Sequence, residues 1–138
     1  MNKRQLLDIA TFIGTLKLSE LKDTESRHAM QDFHRALRKI TKPIVEDIDD
    51  TRNEIFAGRQ EEVNKYAELE AKQDKAGMDA MPEIKTMVAD FRAATERILS
   101  EDAGELPKID YHILADAMAD KEISLDEFEA TFGELLKD

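Results

Sequence analysis

Cysteine and tryptophan are absent from this chain of 138 residues, and proline and glycine are scarce, with three and five copies. Without cysteine there is no disulfide, no thiolate metal ligand and no cysteine nucleophile, which fits an intracellular setting. Few prolines and glycines mean few enforced turns, so long helices are expected. The glycines stand apart from one another, which excludes a phosphate-binding P-loop and a dinucleotide fingerprint. No G-x-S-x-G elbow occurs either. No run approaches the roughly 18 apolar residues that a spanning helix requires. The first residues carry Lys3 and Arg4, but Asp8 interrupts the apolar stretch and no small-residue cleavage site follows. That segment reads as an amphipathic helix rather than a signal peptide. A cytoplasmic protein is expected.

Charge is plentiful. Charged residues make up 37% of the chain and apolar ones 41%, a balance closer to an exposed helical bundle than to a compact enzyme core. The net charge of −11 is unevenly spread: residues 100–138 hold 12 acidic and 3 basic side chains, against 19 and 17 in residues 1–99. Within the latter, Arg27, Arg35, Arg38, Lys39 and Lys42 outnumber Asp32 and make residues 27–42 locally basic. Direct nucleic-acid binding is disfavoured, because no large basic surface is there to displace counterions. The acidic tail and the basic segment could attract each other between copies or bind a basic partner, although solubility alone explains such charge as well.

Residues 24–76 form the longest helix-prone run. Met30, Phe33, Leu37, Ile40, Ile44, Ile48, Ile55, Val63, Tyr66 and Leu69 recur with a mean step of about 3.5 residues, a helical and coiled-coil period. An unbroken helix there would be roughly 75 Å long and would need partner helices. Thr24 or Asp23 can cap it, and Pro43 is expected to kink or break it near residues 40–43. Before it, Leu6, Ile9, Ile13 and Leu16 define a first helix over residues 2–18. After it, residues 75–81 with Gly77 read as a turn, and Pro82 suits the first position of a third helix carrying Ile84, Met87, Val88, Phe91, Ile98 and Leu99. The two long helices are expected to form an antiparallel hairpin. Ile109, Tyr111 and Ile113 alternate with polar neighbours, so residues 106–114 read as an extended arm able to pair with a neighbour. A last helix over residues 125–136 turns Phe128, Phe132, Leu135 and Leu136 to one side. The expectation is an all-α single domain over residues 1–138, with a helical bundle or hairpin in 1–100 and an acidic arm plus C-terminal helix in 101–138.

Chemical constellations are weak. Against a calcium-binding EF-hand loop, Asp116, Asp120 and Glu127 fall at positions 1, 5 and 12, but Met118 and Lys121 occupy positions that need an oxygen ligand and glycine. A capping box of Ser124 and Glu127, with Ile123 and Phe128 as its apolar staple, explains most of the match. Glu25 and His28 have the E-x-x-H spacing of di-iron bundles, yet no second copy exists. His34 and His112 have no ligand set. The carboxylate pairs Asp49–Asp50 and Glu61–Glu62 sit on charged helical faces with no apolar pocket signal. No catalytic residue, metal or cofactor is expected, and the chain is not expected to be an enzyme.

Four pieces of sequence, residues 35–40, Asn64-Lys65-Tyr66, Leu106-Pro107-Lys108-Ile109 and residues 124–136, resemble an uncharacterised family of small helical proteins encoded by tailed phages and prophages. Ala67 departs from it, where glycine is expected after the tyrosine. The resemblance implies a helical phage protein in the host cytoplasm or the virion and implies no catalytic residues. The function expected from the whole chain is a non-catalytic assembly protein working through helix packing with a protein partner or as a homo-oligomer, with no membrane contact. Its interface would be Met30, Phe33, Leu37, Ile40, Val63, Tyr66, Leu69, Ile109, Tyr111 and Ile113. The alternative is an acidic inhibitor that occupies a basic site on a host protein, as a counter-defence factor or nucleic-acid mimic does.

Overall fold

The computed structural model describes residues 1–138, and the fold is all-α. Helix α1 (Lys3–Ile13) begins with a capping box, in which the Gln5 amide donates to the Asn2 side chain at 2.9 Å and the Asn2 amide donates to the Gln5 side chain at 2.9 Å. Helix α2 (Thr24–Phe56) begins at Asp23, whose carboxylate accepts from the Ser26 amide at 2.7 Å and the Ser26 hydroxyl at 2.8 Å. Those donors hold the Asp23 carboxyl below the usual carboxylate range. Pro43 lies inside α2 and does not split it.

The chain folds into two compact units, Met1–Pro43 with Glu101–Asp138, and Ile44–Ser100. A boundary falls after Ser100 where one is expected, but a second falls after Pro43, and the acidic C-terminal segment belongs to the same unit as the N-terminal helix and the basic part of α2. In the first unit Leu6, Ile9, Met30, Phe33, Leu37, Leu114, Phe128, Phe132 and Leu135 share one buried core. The acidic C-terminal segment pairs with the start of the chain, where the N-terminal ammonium meets Glu134 at 3.1 Å and Lys3 meets Glu101 at 3.3 Å.

The helix expected over residues 24–76 ends twenty residues early. Gly58 has φ +74°, a left-handed conformation that side chains with a Cβ resist, and the Arg59 amide closes the turn on the Phe56 carbonyl at 2.6 Å. Helix α3 (Gln60–Ala71) follows. Residues 75–81 are not a turn: α4 (Lys75–Asp79) occupies most of them, its Gly77 amide donating to Asp74 at 2.9 Å. The turn falls instead at Gln73, with φ +57°. Pro82 opens α5 (Pro82–Ser100) as expected.

Within the second unit α2 packs on α5, with Phe56 5.2 Å from Phe91 between ring centroids and the Arg52 guanidinium 5.2 Å from the same ring. Only the α3 part departs from the expected antiparallel pairing. Arg59, before α3, bonds Glu83 near the start of α5 at 2.9 Å, while Glu70 near the end of α3 bonds Arg92 midway along α5. Partners advance together, so α3 and α5 run side by side in the same sense, with α4 as the return. Phe56, Val63, Tyr66, Ile84 and Val88 form the core of this second unit.

The extended arm is shorter than expected. Only Ile109 pairs, its amide donating to the Leu135 carbonyl at 2.8 Å and its carbonyl accepting from the Lys137 amide at 2.9 Å. From Tyr111 the chain is helical, as α6 (Tyr111–Ala117), because Leu114 and Ala117 at helical spacing reach the core. A second isolated bridge joins Asn2 and Asp102. Helix α7 (Leu125–Phe132) then leads into a 3₁₀ turn over Gly133–Leu135.

Candidate protein-binding surface

Ser124 starts α7 by accepting the Glu127 amide at 3.1 Å, with Ile123 and Phe128 packed in the same core. That cap fixes where the next residue emerges. Leu125, the first residue of α7, is 81% exposed, the most exposed of the large apolar side chains. Phe128, one turn later, is buried, and Tyr111 at the start of α6 stands edge-on against it, 5.6 Å between ring centroids with 78° between planes. Tyr111 is itself 44% exposed. A ladder of rings continues inward, Phe128 to Phe132 at 5.3 Å and Phe132 to Phe12 at 5.8 Å. Tyr111 is the exposed end of that ladder, and Leu125 lies three residues before Phe128 on the same helix.

Acidic residues flank Tyr111 and Leu125 in sequence. Asp110, Glu122, Asp126 and Glu129 are all exposed. The nearby cations are engaged elsewhere: Lys121 lies 3.7 Å from Asp120, and Lys108 donates to the backbone carbonyl of Glu134. A surface of this kind offers an apolar contact inside a field of negative charge, which selects partners of opposite sign.

The residues expected at an interface fare differently. Met30, Phe33 and Leu37 are buried in the first unit with Ile40 packed against them, and Val63 and Tyr66 are buried in the second with Leu69 half-buried. Ile109 is buried with both backbone groups bonded, and Ile113 is half-buried on α6. These side chains are covered wholly or in part by their own chain, and the large apolar side chain that α2 exposes is Val45, at 47%. Only Tyr111 of the set is exposed. Leu125, outside the set, lay on the helix with Phe128 and Phe132, and its one signal was its place at the first helical position between Ser124 and Asp126.

The chemical candidates do not converge. Asp116 lies in α6, Asp120 in the following turn and Glu127 in the first turn of α7, and no group of three or more histidine, aspartate or glutamate side chains stands close enough to hold a metal ion. Glu25 and His28 are both exposed. Asp49 bonds Arg52 at 2.6 Å, and Glu62 bonds Arg59 at 2.7 Å, which hold them in structural ion pairs. The guanidinium beside Glu62 keeps that carboxyl below the usual range. No helix is long and apolar enough to cross a membrane.

No family model matches this sequence, and neither a curated protein nor a solved structure does.

Proposed function

We propose that this chain is a non-catalytic interaction protein that presents an acidic, apolar-tipped surface to a protein partner carrying a basic surface. The observation that carries this reading is the 81% exposure of Leu125, with the 44% exposed Tyr111 set edge-on against Phe128 one turn along the same helix, in a segment that holds 12 acidic side chains and 3 basic ones. Covering a leucine of that exposure contributes on the order of 1.5–3 kcal/mol. The surrounding carboxylates add steering and choice of partner more than affinity. The reading based on long helical seams loses its support, because those side chains are interior. An acidic body that occupies a basic site on another protein gains it. The phage or prophage setting implied by the sequence resemblance, and action in the host cytoplasm or the virion, belong to the same proposal.

The test is fluorescence anisotropy with a labelled amphipathic helical peptide of leucine and lysine. Binding at about 0.15 M salt should weaken at about 0.5 M as the charges are screened. Leu125→Asp should lower affinity by about tenfold, equivalent to about 1.4 kcal/mol. Unchanged affinity in that variant sinks the reading.

A further inference from the structure

A second feature of the first unit complements the Leu125 tip. A pocket of about 230 Å³ has Ile13, Met30 and Ala117 in its floor and Lys17, Gln31 and His34 on its rim. No carboxylate lines it, although the chain holds 31 acidic residues. Arg38, one turn beyond His34 on α2, is exposed and adds a cation on that side of the helix, outside the pocket lining. An apolar socket edged by Lys17 and free of carboxylates is the counterpart of an apolar knob flanked by acidic residues. Within one copy they do not meet, because Leu125 is 81% exposed and is not among the residues that line the pocket.

We infer that the partner of this acidic surface is a second copy of the chain, Leu125 of one copy entering the Lys17–His34 pocket of the next while Glu122, Asp126 and Glu129 face Lys17 and Arg38. This rests on the interaction reading above and names its partner. The contact is heterologous, with knob and socket on different faces, so each copy keeps one free half and the association extends beyond a dimer. The net charge of −11 opposes the approach of two copies, but at about 0.15 M salt that repulsion is screened beyond about 8 Å, whereas groups in contact are not.

The geometry gives a mixing test. Gly14 also lines the pocket, with φ −63°, and a Cβ added there would meet the His34 imidazole nitrogen at 3.5 Å, ordinary contact. Gly14→Met therefore fills the socket without straining the backbone, and Leu125→Asp removes the knob at an exposed site. Sedimentation velocity of the full chain from about 10 µM to about 1 mM, with circular dichroism to confirm unchanged helicity, reads the outcome. Wild type should grow from monomer to dimer and beyond with concentration. Each variant alone should stay monomeric, and the equimolar mixture should stop at a dimer, since only one productive contact remains. Lys17→Glu, which leaves the floor intact, should weaken wild-type association by about tenfold, equivalent to about 1.4 kcal/mol.

A wild type that stays monomeric at about 1 mM, or a mixture that forms no dimer, overturns the inference. If the leucine–lysine peptide still binds wild type and loses affinity with Leu125→Asp, only the second copy as occupant is lost. If that peptide binding also fails, the interaction reading falls with it.

Discussion

Leu125 and Phe128 stand one helical turn apart on α7, and burial divides them: the leucine is 81% exposed and the phenylalanine 7%. Both are apolar and both follow the Ser124 cap, so their difference comes from where the core ends. Tyr111 covers Phe128, and nothing in the chain covers Leu125 to the same degree.

From that division follows a pair of stability measurements. Leu125→Asp should leave the melting temperature within the scatter of exposed sites, about ±0.5 kcal/mol, and an aspartate in the first turn of a helix is electrostatically favourable. Phe128→Ala should cost about 3–5 kcal/mol. Urea denaturation of both variants distinguishes a surface tip from a structural side chain.

Leu37 offers a sharper check on where the α2 stripe goes. It is 0% exposed within its own unit, so Leu37→Ala should destabilise an isolated chain by about 2–5 kcal/mol even at high dilution. If the stripe instead waited for a partner helix, the same substitution would leave the dilute protein's unfolding midpoint unchanged. Chemical denaturation at micromolar protein decides between them.

Two backbone positions should respond with opposite signs. Gly58 at φ +74° should lose about 1–2 kcal/mol on substitution by alanine, because a Cβ disfavours the left-handed region. Gln73 at φ +57° already bears that strain, so Gln73→Gly should be neutral or stabilising by up to about 1 kcal/mol. Thermal unfolding of the two variants beside wild type gives the signs directly.

Acid should weaken the second unit through specific pairs. Arg92 beside Glu70, and Lys85 beside Asp79 at 2.7 Å, hold those carboxyls below their usual range. A carboxyl lowered on folding stabilises the fold above its unfolded value, and that contribution is lost as pH falls through the lowered one. The difference in melting temperature between wild type and Glu70→Gln should therefore be largest near neutral pH and close as the solution is acidified below about pH 4. A gap that stays constant over that range contradicts the pairing.

Much of the fold is legible in the sequence because caps and prolines act locally. Asp23 before α2, Pro82 at the start of α5 and Ser124 before α7 all mark the starts they suggest. The break after Phe56 is harder to read, since Phe56 and Val63 are both buried seven residues apart and the apolar period continues across the turn at Gly58. Periodicity is also ambiguous for short runs: Ile109, Tyr111 and Ile113 alternate as a strand would, yet Leu114 and Ala117 make the segment helical. Above all, an apolar stripe says which side of a helix is covered and not what covers it. Met30, Phe33 and Leu37 are covered by residues distant in sequence, among them Leu6 and Leu135, a relationship that arises only when the chain ends fold back together. The exposure of Leu125 is hidden in the sequence for the same reason, because burial is set by neighbours that local pattern does not name.

Nuclear magnetic resonance of the labelled chain titrated with the leucine–lysine peptide locates the residues a partner touches. The largest shift changes should fall on Tyr111, Leu125 and Phe128 with their acidic neighbours Asp110, Glu122 and Asp126, while Val63, Tyr66 and Ile84 remain still. Changes centred on the second unit, or spread evenly over every acidic side chain, would contradict it.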